Sequence, residues 1–121
     1  MLDRHSVVVR RFAEACRLGD IDALRAVLDA DAIAVCDGGG LVAAGVEPVH
    51  GAEEVARLAG VLLCGQPGVQ LRVEAVNGRA GLALRRGGRA VAVVAVESAG
   101  ARATVLWIVL NPAKLHDWHR P

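Results

Sequence analysis

Val69-Gln70-Leu71-Arg72-Val73-Glu74-Ala75-Val76-Asn77-Gly78 opens the stretch that decides the fold. The stretch continues as Arg79 to Arg86, Gly87-Gly88, Arg89 to Glu97, Ser98-Ala99-Gly100 and Ala101 to Leu110. Val69, Leu71, Val73 and Ala75 alternate with Gln70, Arg72 and Glu74, the period of two expected of a half-buried strand. Asn77-Gly78 is a hairpin signal, because a type I′ turn needs positive φ at both central positions. Gly87-Gly88 and Ser98-Ala99-Gly100 supply the next two turns. The reading is an antiparallel meander of four strands. Its last two strands do not alternate. Ala90 to Val96 is apolar throughout, and from Val105 to Leu110 both faces are apolar, a pattern sheets show when both faces are covered.

The residues before the meander read as helices and a short strand pair. Val8, Val9, Phe12, Ala13 and Cys16 have helical spacing, opposite Arg10, Arg11, Glu14 and Arg17. Ser6 is the expected N-cap of this helix and Gly19 its stop. Asp20 then caps a second helix with Ile21, Leu24, Val27 and Leu28 inward. Ala32 to Cys36 is a short strand, Asp37-Gly38-Gly39-Gly40 a turn, and Leu41 to Val49 a returning strand with Pro48 at its edge or end. Gly51-Ala52-Glu53-Glu54 opens a third helix with its acids in the first turn, where the helix dipole favours them. Val55, Leu58, Leu62 and Leu63 form its inner face, and Gly65 to Gly68 ends it.

The chain has 121 residues, one domain's worth, with positions 111–121 as a tail after the last strand. A chain of this length with 54% hydrophobic residues buries a real core. A net charge of +1 gives no electrostatic case for a nucleic-acid partner. Arg dominates the basic residues, and Ala, Gly and Val abound, the usage of a GC-rich bacterial genome. Cys16, Cys36 and Cys64 are widely spaced, and reduced thiols in a cytoplasmic protein are expected. Met1 to His5 has no apolar signal core, and no apolar run approaches the length of a membrane span.

Helices first and a long meander after them give an α+β domain. The order α-α-β-β-α-β-β-β-β is similar to that of the cone-shaped nuclear transport factor 2-like (cystatin-like) fold, about three helices packed on a curved, mostly antiparallel sheet. Three helices cover one face of such a sheet. The other face is expected to meet a partner, most simply a second copy in a homodimer, because a large exposed apolar patch is prone to aggregate. The alternative is a C-terminal tail folded back across it.

Six segments carry a closer resemblance. They are Val8 to Phe12, Leu18-Gly19-Asp20-Ile21, Asp37-Gly38-Gly39-Gly40, Gly51 to Arg57, Val76-Asn77-Gly78, and Asn111-Pro112-Ala113-Lys114-Leu115. Together they resemble the SnoaL-like domain at the C-terminus of sigma-J-like extracytoplasmic-function sigma factors. The resemblance implies a non-catalytic regulatory or small-ligand-binding domain, with Asp37, Gly38, Gly39, Gly40, Asn111, Pro112, Lys114 and Leu115 as the surface that meets sigma-factor core domains. In that family the two motifs read Asp-Gly-Gly-Gly-Lys and Asn-Pro-Asp-Lys-Leu. Here Leu41 and Ala113 stand in place of the charged residues. The helical DNA- and polymerase-binding regions of a sigma factor are not among these residues.

Enzymes of the same fold, the ketosteroid isomerases, polyketide cyclases and hydrolases, set the alternative. They use a pocket carboxylate or His. Asp37 is a candidate general base at a strand end, or an Asx turn bonding its own backbone. His50 is a candidate acid or base, or a solvated neighbour of a helix start. Phe12 and Trp107 are candidate walls of a pocket for a small apolar ligand, although Trp107 equally suits a core or an interface. Glu97, at a strand end, reads as solvated. The absence of Tyr removes the usual neutral donor of an isomerase oxyanion hole. His116-Asp117-x-His119 matches no metal-ligand spacing, and Gly38 to Gly40 lacks the Lys and Ser/Thr of a phosphate loop. No metal or cofactor is expected.

Overall fold

The computed structural model describes residues 3–37, 48–65 and 67–110. Helix α1 spans Arg4–Leu18. Its N-cap is Asp3, whose Oδ1 accepts from the Ser6 N–H at 2.7 Å, so the helix starts earlier than a Ser6 cap places it. Gly19 ends it at φ 64°, and its N–H reaches the carbonyls of Ala15 and Cys16. Helix α2, Ile21–Val27, is capped by Asp20, which accepts from the Ala23 N–H at 3.0 Å. Leu28 does not extend α2. It opens strand β1, Leu28–Asp37, which is longer than the expected Ala32 to Cys36.

Strand β2 is Val49–His50, and exposed Pro48 precedes it. The rest of the expected returning strand, 41–47, lies outside the described residues. Helix α3 follows at Ala52–Leu63 with Glu53 and Glu54 in its first turn. Ala56 and Ala59 join Val55 and Leu63 on its buried face, while Leu58 and Leu62 are half-buried. The meander forms as read: β3 Gln70–Val76, β4 Arg79–Arg86, β5 Arg89–Ala99 and β6 Arg102–Val109. Asn77 at φ 53° and Gly78 at φ 82° make the turn between β3 and β4.

The six strands form one sheet in the order β2-β1-β6-β5-β4-β3. All neighbours run antiparallel except β1 and β6, which are parallel. The three helices pack on one face. Val8, Val9, Phe12 and Cys16 of α1, Leu24 of α2 and Val55 of α3 share a core with Ala34, Leu82, Leu84, Val94, Leu106 and Ile108 of the sheet. His5, also buried, pins the start of α1 to the sheet. Its Nε2 donates to the Ala80 carbonyl at 2.9 Å, which leaves Nδ1 to accept from the Ser98 hydroxyl at 2.6 Å. Among the described residues no helix is long and apolar enough to cross a membrane.

Candidate functional site

Strand pairing assigns the outer face, the one turned away from the helices. Paired residues share a face, so three rows cross the sheet. Asp37, Val109, Val93, Ala83 and Arg72 make one row. Val35, Trp107 and Ala95 make the next. His50, Ile33, Val105 and Glu97 make the third. The apolar residues on both sides of β5 and β6 therefore split cleanly: Leu106 and Ile108 enter the helix-covered core, and Val105, Trp107 and Val109 face outward. Trp107 is 48% exposed, a large aromatic surface on a regular strand.

Asp37 and His50 both lie on this outer face. They do not converge. His50 pairs with Ile33, four residues before Asp37 on the same strand, a separation of about 13 Å. The backbone carbonyl of Asp37 accepts from the Leu110 N–H at 2.7 Å, which fixes the end of β1 against the end of β6. His50 is exposed. Phe12 is at 0% exposure inside the core cluster, so its ring is enclosed by other side chains. Gly38, Gly39, Gly40, Asn111, Pro112, Lys114 and Leu115 lie outside the described residues, as do Leu41, Ala113 and the His116 to His119 segment.

Toward β3 the outer face carries an ion pair that its charges alone do not announce. Arg85 donates through Nε and Nη2 to the two Glu74 oxygens at 2.7 and 2.9 Å, and through Nη1 to the Gly88 carbonyl at 3.2 Å. Arg85 is 5% exposed, and the facing carboxylate holds its guanidinium charge even more firmly than usual.

A cleft of about 240 Å³ opens where the ends of α1 and α3 meet the start of β3, lined by Cys16, Arg17, Leu63, Gly65, Val69 and Leu71. The Arg17 guanidinium closes one side by donating to the Leu71 carbonyl at 2.9 Å. A shallower groove of about 500 Å³ adjoins it, lined by Arg10, Glu14, Arg17, Arg72 and Val73. Glu14, the carboxylate of that groove, is largely exposed and pairs with Arg17, so it is not the desolvated acid a general base requires. Beside the cleft the Cys16 thiol is pushed up in pKa by the neighbouring Cys64 thiol and by burial, while the Cys64 thiol is drawn down by Cys16. Their spacing in sequence gave no sign of this. Cys36 is separately pushed up in pKa, first by burial and then by the charge of Asp37. Among the described residues no group of three or more His, Cys, Asp or Glu side chains is placed to hold a metal ion.

No family model matches this sequence, and a search of curated proteins finds no match. Solved structures do match. The extracytoplasmic-function sigma factor SigJ of Mycobacterium tuberculosis superposes with a TM-score of 0.70 at 27% identity, over 93% of this chain and 44% of that one. This chain thus spans less than half the length of SigJ. An NTF-2 like protein of unknown function from Burkholderia xenovorans gives 0.63 at 16% identity, over 98% and 94% of the two chains. A putative ketosteroid isomerase from Kribbella flavida gives 0.61 at 15% identity, over 88% and 76%. The last two likenesses bear on the fold alone. With three helices on one face of a six-stranded, mostly antiparallel sheet, this chain has the nuclear transport factor 2-like fold, and the sigma factor SigJ is among its structural neighbours.

Proposed function

We propose that this chain is a non-catalytic regulatory domain of the sigma-factor accessory type, cytoplasmic and bacterial, that works by docking protein on its open sheet face. Its first partner is a second copy of itself. The observation that carries this reading is Trp107, 48% exposed on a sheet face where Ile33, Val35, Val105 and Val109 surround it in register. A half-exposed indole on an apolar strand face costs solubility unless a partner covers it. The likeness to SigJ supports the regulatory part of the reading. The Asp37 to Gly40 and Asn111 to Leu115 segments are the second contact, toward sigma-factor core domains. An isomerase or hydrolase needs an acid or base beside an enclosed apolar site. Asp37 and His50 instead stand about 13 Å apart on the outer face.

Native mass spectrometry of the purified protein, alone and mixed with the core regions of an extracytoplasmic-function sigma factor, tests the proposal. A homodimer that also captures the sigma core, with capture weakened by Lys114→Glu, is the expected result. A monomer that captures nothing would overturn it. So would turnover of a ketosteroid or an epoxide that Asp37→Asn abolishes.

A further inference from the structure

Two hollows lie where α1 meets the edge strand β3, and both are lined by Arg17. The first, the cleft of about 240 Å³, is walled by Cys16, Leu63, Val69 and Leu71. Cys16 and Leu63 belong to the helix-covered core, and Val69 and Leu71 pack against it. Gly65 stands at the rim, and nothing lies within 4 Å of where a side chain would begin there, so the mouth is open. The second, the groove of about 500 Å³, is charged. Arg10, Glu14 and Arg17 are four and three residues apart, so they line one face of α1, and Arg72 joins them from β3. Three guanidinium groups thus share the groove with one carboxylate. Arg17 already engages that carboxylate, at 3.5 Å. Arg72 donates to the neutral Gln70 Oε1 at 3.0 Å, and neither Arg10 nor Arg72 has an ion pair among the described residues. The Arg17 bond to the Leu71 carbonyl holds a guanidinium at the border between the apolar hollow and the charged one.

We propose that the two hollows form one binding site for a short-chain amphipathic carboxylate, its hydrocarbon tail in the cleft and its head among the guanidinium groups of the groove. This site does not rest on protein docking at the outer sheet face, which centres on Trp107.

Each half of the ligand follows from the wall it meets. The inner walls are aliphatic side chains and one thiol, which give a polar group little to bond, so the buried end is hydrocarbon. The cleft is smaller than the roughly 300–1,000 Å³ of sites that take drug-sized ligands, so the tail is short. The groove selects the head by charge. Surplus guanidinium groups attract an anion and repel an ammonium, and their planar forks match the two oxygens of a carboxylate. Two walls of opposite character that meet at one arginine fit a ligand with the same division.

The test is a titration of the full chain with octanoate, followed by amide NMR and calorimetry. The expected result is saturable binding that shifts the Cys16, Leu71 and Arg72 amides and leaves the Trp107 indole unmoved. Affinity should rise about three- to fourfold for each methylene from hexanoate to octanoate. Arg10→Glu and Arg72→Glu, both at exposed positions, should each weaken octanoate about tenfold while cooperative melting is kept. Octylamine should not compete. No saturable shift at millimolar octanoate would overturn the proposal. So would equal binding of octylamine, an affinity that ignores tail length, or shifts centred on Trp107.

Discussion

Replacing Trp107 by Ala should convert a dimer into a folded monomer. The magnitude follows from exposure. A Trp side chain buries about 150–250 Å² when fully covered, so the 48% left open amounts to roughly 100 Å² that a docked partner removes from water. At about 25 cal/mol per Å² this is ~2.5 kcal/mol per copy, of which Ala would retain a small part, leaving about 2 kcal/mol. A two-fold interface counts the change twice, about 4 kcal/mol per dimer, or on the order of 10³-fold in dissociation constant. Sedimentation velocity over a concentration series reads that shift directly. Thermal melting of the variant under monomeric conditions should fall but stay cooperative, because the half of the side chain packed within the monomer is also lost, about 2 kcal/mol by the same area. Leu18→Ala provides the control, since Leu18 is 69% exposed on the C-terminal turn of α1 and should leave the dimer unchanged. If Trp107→Ala sediments as the parent does at every concentration, the docking face lies elsewhere. A parent protein that stays monomeric at high micromolar concentration would refute the self-docking argument altogether.

Other outcomes follow from the fold itself. Gly81→Ala should destabilise by about 2 kcal/mol in chemical denaturation, because a Cβ there would sit 2.6 Å from both the Val76 Cγ2 and the Val94 carbonyl oxygen. Adding Val76→Ala should recover only part of the loss, as the backbone contact stays. Glu74→Ala should cost about 3 kcal/mol by leaving the Arg85 guanidinium buried without its carboxylate, and Arg85→Leu in the same chain should restore most of it, both read by urea unfolding. The Asp3 carboxyl is held below its usual pKa, first by the Ser6 N–H it caps, so its stabilising effect is present above its unfolded pKa and fades as pH falls through the lower folded value. Asp3→Asn should keep the cap and remove that acid loss, visible as a flatter melting-temperature profile below about pH 4.

The meander was legible because three local signals agreed: alternation in β3, the Asn77-Gly78 turn, and turn glycines between later strands. The helix stops were legible at Gly19 for the same reason. The start of α1 was read too late, at Ser6; Asp3 caps it instead, which places His5 in the first turn with Ala80 and Ser98 in reach. The early part of β1 was hidden because Asp29 and Asp31 look like loop residues. There the Asp29 carboxylate accepts from the Asp31 N–H at 2.9 Å, and the pairing with β6 shifts register between Leu28 and Ile33. The Arg85–Glu74 pair could not be read at all. It joins residues from different strands, and only the register of β3 on β4 brings them together. Asp37 and His50 were readable as candidates by residue type, but their separation is a property of the β1–β2 register.

The outer sheet face is not uniform, and its asymmetry argues for where a partner sits. On the β3–β4 side, small residues at Gly81 and Ala83 leave room for Val76, which packs against Gly81 within the cluster formed by Val93 and Ala90. Arg85 and Glu74 neutralise each other there, so this half is already covered: Ala83 is at 0%, Val93 at 2% and Val76 at 6% exposure. On the β1–β6 side no comparable covering is seen among the described residues. Ile33, Val35, Val105 and Val109 are half-buried and Trp107 stands open. A partner that centred on the middle of the sheet would meet a surface with little left to bury. One that centred on β6 and β1 would remove the indole and four aliphatic side chains from water together. The apolar runs of β5 and β6 thus differ: the outward residues of β5 complete packing within the sheet, while those of β6 stay partly open among the described residues.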